Sequence, residues 1–500
     1  MTTKSFALAG ALAVSVSAFA ADYSVHTWKK IQLSDQFWSE GAAIGDFNKD
    51  GKMDVVSGPY WWAGPDFKAR YEFMPTTRKS ENYAAPFKLG PISKISIPGF
   101  EGGLGQNNAY SDNFFAFTHD FNKDGWDDVL VYGFPGRDAS WYENPKTASA
   151  AAGAGAIEEV AHWTRHKVFD VVDNESPQWG DITGDGKPEI ISNSGGTFGY
   201  ASPDWSDPAK PWTWTAVTPN GGWQKFTHGL GFGDVNGDGK ADLLEAKAWW
   251  EQTSSGEWTK HPMNFADGGA QMYSYDVNGD GLNDVITSIA AHGYGLSWYE
   301  QKKDGERISF TEHRFVGRTA KENKYGVVFS QPHAIDLVDM DGDGLKDIVT
   351  GKRFWAHGAH GDEDPAGAAV VYWFKLVRNT DGSVDWVPYL IDNNSGIGTQ
   401  VLAADANGDG LPDVIVGNKK GTFVHIHSVK KATKEEWEKA QPKALLQQTA
   451  MVPTMTREQA ERVIEERRRV LIEQGRSATA RALPPTSLGR ETVTQPGIAK

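Results

Sequence analysis

A nine-residue acidic loop recurs along the 500-residue chain. The clearest copy begins at Asp234 and reads Asp-Val-Asn-Gly-Asp-Gly-Lys-Ala-Asp. Oxygen-bearing side chains occupy positions 1, 3, 5 and 9, and position 6 is glycine, which permits a sharp turn at low steric cost. An apolar run follows each copy, as at Val414-Ile415-Val416, and favours a strand. The loop recurs roughly every forty to seventy residues, and this spacing predicts an array of repeated supersecondary elements.

Seven stretches share this frame. Because a hard cation such as calcium takes about six to eight oxygen ligands in a loose cage, the pattern predicts a structural calcium ion in each loop. The third copy departs most, with Thr183 at position 3 and Glu189 at position 9. The alternative is a hairpin turn rich in Asp, Asn and Gly without an ion. The predicted ligands are Asp46, Asn48, Asp50, Asp54, Asp120, Asn122, Asp124, Asp128, Asp181, Thr183, Asp185, Glu189, Asp234, Asn236, Asp238, Asp242, Asp276, Asn278, Asp280, Asp284, Asp339, Asp341, Asp343, Asp347, Asp405, Asn407, Asp409 and Asp413.

Composition and the N-terminus restrict the class of protein. The absence of cysteine excludes disulfides, thiolate metal sites and a cysteine nucleophile. A net charge of −15 without a basic stripe argues against nucleic acid as a partner. Residues 1–21 contain Lys4, a short apolar run and Ala18-Phe19-Ala20, which predict a cleaved signal peptide. We therefore expect a periplasmic or extracellular protein with no transmembrane segment after cleavage.

The repeat spacing suits a four-stranded unit. In the fourth unit we expect strands at 230–233, 242–245, 249–251 and 258–261, and similar fourth strands at 163–168, 212–217, 308–315 and 384–391. Residues 26–33 resemble a fourth strand but precede the first loop, whereas the last unit has only three strands. The pattern predicts an all-β fold over residues 22–430, a seven-bladed β-propeller closed by an N-terminal strand clasp.

The character of the chain changes after the last unit. Residues 431–475 are predicted to form a short helical extension, with helices at 433–439 and 456–475, and residues 476–500 are predicted to be a disordered tail. We expect the extension to pack on the side of the propeller. A helix that engages a protein partner is the alternative.

The stretches beginning Gly45-Asp46 and Gly233-Asp234 resemble FG-GAP/VCBS repeats. The resemblance implies calcium-binding β-propeller blades of the kind found in integrin α-chain heads and in secreted bacterial proteins. The Ser-Trp-Tyr-Glu strands at 140–143 and 297–300 are more distantly similar to the propeller part of aldos-2-ulose dehydratase, a family that eliminates water from keto-sugars. This chain lacks the further β-domains of that family.

Polar residues that break the repeat are better functional candidates than residues that recur in it. Six residues before each loop, the register reads Glu40, Phe114, Glu175, His228, Ala270, His333 and Thr399. This register places carboxylates and imidazoles at the channel mouth opposite the calcium loops. The candidate catalytic residues are His228, His333, His292, Tyr294, Glu40 and Glu175, and the candidate substrate-binding residues are Gln271, Gln400, Arg137, Lys352, Arg353, His357, His360 and Trp355.

These residue types favour a protein directed at carbohydrate. Elimination from a keto-sugar or uronic acid needs a base beside the carbonyl or carboxylate, and positive charge or a metal for the developing enolate. His357, His360 and Asp362 are candidate ligands of a further divalent metal at this face. We predict a secreted calcium-binding propeller that acts as a carbohydrate lyase or dehydratase. A non-catalytic glycan- or protein-binding propeller, used in adhesion or as a scaffold, is the alternative.

Overall fold

The structure is a computed structural model that describes residues 23–75, 113–146, 162–357, 361–365 and 367–444. The signal peptide, the helix predicted at 456–475 and the predicted tail lie outside these ranges. No helix in the described part of the chain is long and apolar enough to cross a membrane.

The protein is all-β, with one short α-helix in the described ranges. The strands are β1 (Tyr23–Ser34), β2 (Ala43–Gly45), β3 (Asp54–Ser57), β4 (Tyr60–Trp62), β5 (Arg70–Glu72), β6 (Phe115–His119), β7 (Asp128–Tyr132), β8 (Arg137–Glu143), β9 (Thr164–Gly180), β10 (Glu189–Ser194), β11 (Thr197–Ser202), β12 (Thr213–Ala216), β13 (Leu230–Gly233), β14 (Asp242–Glu245), β15 (Ala248–Gln252), β16 (Trp258–Pro262), β17 (Gln271–Tyr275), β18 (Asp284–Ser288), β19 (Leu296–Asp304), β20 (Arg307–Val316), β21 (Ile335–Val338), β22 (Asp347–Gly351), β23 (Val371–Arg378), β24 (Val384–Asp392), β25 (Val401–Ala404), β26 (Asp413–Asn418) and β27 (Gly421–Ala432).

Consecutive strands pair into antiparallel meanders. Four strands form each of the sheets β2–β5 and β21–β24, and β1 completes the sheet of β25, β26 and β27. Strands β13–β16 and β17–β20 join into one eight-stranded sheet, because β13 and β17 pair in parallel. Each acidic loop connects the first two strands of its meander, so all these loops follow a first strand.

The predicted strand at 163–168 is too short. It continues as the 17-residue β9, whose first part pairs with β8 and whose last part pairs with β10. The pairing register shifts near Asn174, which has a φ of 86°. This irregularity turns the strand from one meander to the next without interrupting it.

Backbone hydrogen bonds to acidic side chains shape each loop. In the fourth copy, Asp234 accepts the N–H of Gly239 at 2.9 Å, and the buried Asp242 accepts the N–H groups of Val235 and Gln252, each at 2.9 Å. One carboxylate thus joins the loop, β14 and the end of β15. The same pair of bonds is made by the closing residues Asp54, Asp128, Asp284, Asp347 and Asp413.

Tryptophans on the third strands fill the space between successive meanders. Trp249 on β15 is 3% exposed and packs in one cluster with Met272 of β17, Val285 of β18 and Tyr299 of β19. Burial of such aromatic surface is the main stabilising contribution that one meander makes to the next.

The first and last strands of the described ranges pair in one sheet. Strand β1 pairs antiparallel with β27, from Tyr23 opposite Ala432 to Ser34 opposite Thr422. We call this pair of strands the β1–β27 seam. A helix, α1 (Lys434–Ala440), follows β27 and is capped by Thr433, and its Trp437 ring lies 5.3 Å from that of Tyr23.

Buried imidazoles line the seam. His26 Nδ1 lies 2.8 Å from His427 Nε2, Trp28 stacks on His427 at 4.3 Å, and His425 shares a hydrogen bond with Ser395. Burial lowers the pKa of His425 and of His427 to about 4.

We predict that the seam loses stability in weak acid. The folded-state pKa of these imidazoles lies below the unfolded value of about 6.5, so the unfolded chain binds more protons between the two values. The contribution of these two imidazoles to the free energy of unfolding should be constant above about pH 6.5 and decrease towards about pH 4, by on the order of 2 kcal/mol for each imidazole. Urea unfolding across this range measures the slope. His427→Gln should reduce the dependence of the free energy of unfolding on pH, whereas His162→Gln, which changes an exposed imidazole, should not. Equal slopes in the three proteins would contradict the prediction.

Candidate functional site

Three imidazoles and one carboxylate converge from four separate segments. His228 and His333 directly precede β13 and β21, His292 lies between β18 and β19, and Glu175 lies within β9. His228 Nε2 is 3.0 Å from His292 Nε2 and 3.2 Å from His333 Nε2, and Glu175 Oε2 is 3.1 Å from His333 Nε2 and 3.6 Å from His228 Nε2. These four atoms all lie within 4.8 Å of one another. We call His228, His292, His333 and Glu175 the imidazole cluster.

Backbone bonds between the supporting segments hold the cluster. Glu175 N–H donates to Thr227 C=O at 2.8 Å, next to His228. Gln331 N–H donates to Gly293 C=O at 2.7 Å, which joins the segment before His333 to the segment after His292. Each segment that carries a cluster residue is therefore hydrogen-bonded to a neighbouring segment of the cluster.

Arg353 anchors the carboxylates behind the cluster. Its Nη1 donates to Glu175 Oε2 at 3.0 Å, and its Nε and Nη2 donate to the two oxygens of Glu40, each at 3.1 Å. Arg353 and Glu40 are each 1% exposed. The two-pronged geometry orients both carboxylates, as expected for a paired buried charge.

A second carboxylate orients one of the imidazoles. Asp362 Oδ1 lies 3.1 Å from His292 Nδ1 and 2.8 Å from His357 Nδ1. Burial opposes ionisation of Asp362, but its hydrogen bonds with His292 and His357 hold the pKa of its carboxyl well below the usual value. An ionised Asp362 keeps the proton of His292 on Nδ1 and leaves Nε2 as an acceptor facing the cluster.

Burial also sets the charge of the cluster. It lowers the pKa of His292, and burial together with Arg353 holds the pKa of His333 well below its usual value. For Glu175 burial acts in the opposite direction, but His228, His333 and Arg353 hold its pKa well below the usual value. At neutral pH His292 and His333 are neutral and Glu175 is an anion.

Two predicted substrate ligands have a structural role instead. The amide of Gln271 donates to Thr399 C=O at 3.0 Å and accepts the N–H of Ile335 at 3.0 Å. The amide of Gln400 bonds to both the N–H and the C=O of Ala116. The first strands approach so closely that these amides bond to the backbone of neighbouring segments.

Burial removes three more predicted contacts. Trp355 is 1% exposed and cannot stack on a sugar. Lys352 is also 1% exposed, and its ammonium donates to Ser330 Oγ at 2.5 Å. Arg353 binds Glu40 and Glu175 as described above, so it does not contact a ligand directly. These three residues support the site from behind.

The remaining candidates lie apart from the cluster or outside the described ranges. Arg318 lies over the ring of Tyr294 at 5.3 Å. Arg137 begins β8 and lines a cavity of about 540 Å³ to which the imidazole cluster does not contribute. His360, one of the three predicted metal ligands with His357 and Asp362, lies outside the described residues. The Asp362 carboxylate contacts His292 and His357.

Lys419 was missed by the sequence analysis. Its ammonium is buried and donates to the C=O groups of Trp355 and Ala356 at 3.2 and 2.5 Å. Burial lowers its pKa to about 7. The only sequence signal is its position in the turn between β26 and β27, where a lysine is normally exposed.

The acidic loops present the oxygen donors that calcium prefers. Burial, followed by repulsion from the other loop acids, raises the pKa of the closing Asp54, Asp128 and Asp242 to about 7. A cation in the loop would relieve this repulsion, so the donor set fits calcium. The sixth loop differs, because the Lys375 ammonium contacts its Asp341 and Asp343 carboxylates.

Comparison with known families identifies the repeat. Residues 276–350 match the FG-GAP-like repeat and residues 397–427 match the FG-GAP repeat, a pair of ranges that includes the last three acidic loops. These two ranges of an all-β chain are therefore similar to FG-GAP repeats, as the loop pattern predicts. A comparison with curated proteins gives no match, and the similarity to aldos-2-ulose dehydratase gains no support.

Three solved structures share weak similarity with the chain. One describes recognition of non-reducing terminal N-acetylglucosamine by an Agrocybe aegerita lectin, at 16% identity and a TM-score of 0.37, over 67% of this chain and 85% of the other. The Photorhabdus luminescens Tc holotoxin pore has 15% identity and a TM-score of 0.33, over 63% and 14%. The V. cholerae biofilm matrix protein Bap1 has 17% identity and a TM-score of 0.28, over 57% and 39%. Scores this low support no inference about this chain.

We predict that Arg353 is essential for stability. Arg353→Leu removes the guanidinium that is paired with the buried Glu40 and Glu175, which should reduce the free energy of unfolding by about 3–5 kcal/mol. Arg314→Leu removes an exposed ion pair with Glu312 and should change the free energy of unfolding by less than about 1 kcal/mol. Urea unfolding of the three proteins provides the measurement. A loss at Arg353 no larger than that at Arg314 would disprove the role given to this ion pair.

Proposed function

We propose that the chain is a secreted, calcium-stiffened seven-bladed propeller that binds carbohydrate at the end opposite its calcium loops, and that residues there catalyse an elimination. The observation that carries this proposal is the imidazole cluster, because four polar residues distant in sequence are brought into contact. The predicted signal peptide supports a periplasmic or extracellular location.

The ring arrangement is supported by bonds between first strands. Gln271 of β17 joins Thr399, beside β25, to Ile335 of β21, and Gln400, also beside β25, reaches Ala116 of β6. Such bonds support an arrangement in which the first strands of distant meanders surround a narrow common axis. The β1–β27 seam would complete the ring, because β1 is the fourth strand of the last meander.

Calcium would rigidify this ring at the loops. We predict that excess chelator lowers the thermal midpoint by roughly 10 °C and that added calcium restores it, since an ion bound only by the folded state stabilises that state. Asp276→Ala, at position 1 of the fifth loop, should reduce the calcium-dependent shift, whereas Glu306→Gln, in an exposed turn, should not. An unchanged midpoint in chelator would reject the calcium assignment.

Exposure distinguishes the roles of the cluster residues. The side chains of His292 and His228 are 29% and 14% exposed, whereas that of His333 is 0% exposed. We assign proton transfer to His292 and His228. His333 and Glu175 hold His228 in place. The buried ammonium of Lys352 lies behind the site and favours a substrate that carries a carboxylate or a carbonyl, whereas Glu40 and Glu175 offset the charge of Arg353.

The elimination then follows from ordinary acid–base chemistry. A neutral imidazole takes the proton on the carbon beside the carbonyl or carboxylate, and the electrons of that C–H bond form the new double bond. The C–O bond at the next carbon breaks, and the departing oxygen takes a proton from a second acidic group of the site. The products are an unsaturated sugar and water or an alcohol.

A substrate panel tests the proposal. Purified protein is mixed with keto-sugars and with uronate polysaccharides, and new unsaturation is followed by ultraviolet absorbance. We expect turnover of one class, its loss in His292→Asn with folding retained, and normal turnover in His162→Asn, which changes an exposed imidazole. Glycan binding without turnover would replace the enzyme with the non-catalytic carbohydrate-binding propeller, and equal turnover in His292→Asn would move the chemistry elsewhere.

A further inference from the structure

The imidazole cluster has the geometry of a metal centre. With metal–nitrogen distances of about 2.0–2.1 Å, the ligand atoms of a tetrahedral site lie about 3.3 Å from one another. Four ligand atoms have six separations, of which four are 3.0, 3.1, 3.2 and 3.6 Å, and all six are within 4.8 Å. The donor atoms are thus close enough together to share one coordination sphere after small side-chain adjustments.

The hydrogen-bond chemistry points the same way. Three Nε2 atoms and one carboxylate oxygen face each other, and the ionised Asp362, 3.1 Å from His292 Nδ1, favours a proton on that atom. His228 Nε2 carries at most one proton but faces both His292 and His333 at hydrogen-bond distance. At least one contact in the cluster therefore opposes two lone pairs or two N–H groups unless a cation replaces the protons.

We propose that His228, His292, His333 and Glu175 bind a divalent transition-metal ion, distinct in kind from the calcium loops. Three imidazole nitrogens suit zinc, iron, copper or nickel, whereas calcium prefers oxygen ligands only. Asp362 supplies the carboxylate that orients a ligating histidine, and Arg353 fixes the Glu175 carboxylate while Glu40 offsets the charge of the guanidinium.

The position of the ion connects it to the proposed function, on which this further role rests. With the ion bound, the Nε2 atoms of His228 and His292 are ligands, so the proton-transfer roles given to them above apply to the metal-free site. His292 is the most exposed member of the cluster, so a fifth ligand reaches the ion from solvent on that side. A metal that expands to five ligands polarises a carbonyl or carboxylate oxygen. The substrate class that fits is a sugar with such an oxygen beside the carbon that loses its proton.

Binding is tested without any assay of activity. The protein is treated with 1,10-phenanthroline in saturating calcium, so that the acidic loops stay filled, and is then titrated with Co²⁺ or Zn²⁺. We expect one equivalent to bind tightly by calorimetry, with the intense visible absorption of cobalt in a nitrogen-rich site of low coordination number. Weak absorption, typical of cobalt bound by six oxygens, or no tight equivalent would overturn the proposal.

Variants locate the ion. His292→Asn and His333→Asn should each reduce affinity by about 100-fold or more, and Asp362→Asn by about 10- to 100-fold. His162→Asn should bind as the unaltered protein does, and circular dichroism confirms that each variant is folded. His357→Asn should retain the tight equivalent. Its loss there would place the ion between His292, His357 and Asp362 and overturn the ligand set proposed here.

The two proposals fail in different ways. Tight metal binding without turnover of any sugar rejects the lyase and leaves the metal centre intact. Turnover that persists after phenanthroline treatment, with no tight cobalt site, rejects the metal centre and leaves acid–base chemistry by the imidazoles.

Discussion

The buried carboxylate that closes each acidic loop is the interaction on which the structure depends. Asp242 illustrates it, since its two oxygens accept one N–H from the loop and another from the end of the third strand. A lost acceptor would leave a buried donor unsatisfied, which costs about 1–3 kcal/mol. Because the bond pattern recurs in nearly every meander, the loops define where each first strand ends and where the next begins.

The opposite end of the strands depends on a different interaction. There Arg353 joins Glu40, from the start of the first meander, to Glu175 within β9. Burying these charges is unfavourable unless each has its partner, so the ion pair specifies one arrangement more than it adds stability. Glu175 belongs to both the ion pair and the imidazole cluster, so the geometry of the cluster depends on several meanders at once.

Local chemistry explains what the sequence predicts well. The strand predicted at 230–233 is β13, because the glycine and aspartate pattern marks its end. The register that contains Glu40, Glu175, His228 and His333 brings these residues together because a repeat places equivalent positions at equivalent depths. The sequence pattern does not tell which side chains lie close together in the folded protein. Nothing in the sequence separates a glutamine that binds a sugar from Gln400, which binds a neighbouring strand, or an exposed Trp355 from a buried one.

The two ends of the strands place opposite demands on the same residue types. In the loops, carboxylates are crowded so that their mutual repulsion favours a bound cation, and small displacements are tolerated because calcium accepts loose geometry. In the cluster, a single carboxylate and three imidazoles are held by backbone bonds between segments, and a transition metal tolerates much less displacement. The precise positions of the cluster residues therefore require rigid strands between the cluster and the loops. The closing carboxylates make these strands rigid. An array of acidic loops at one end, which we propose bind calcium, is thus a physical means of positioning a small number of unrepeated residues at the other.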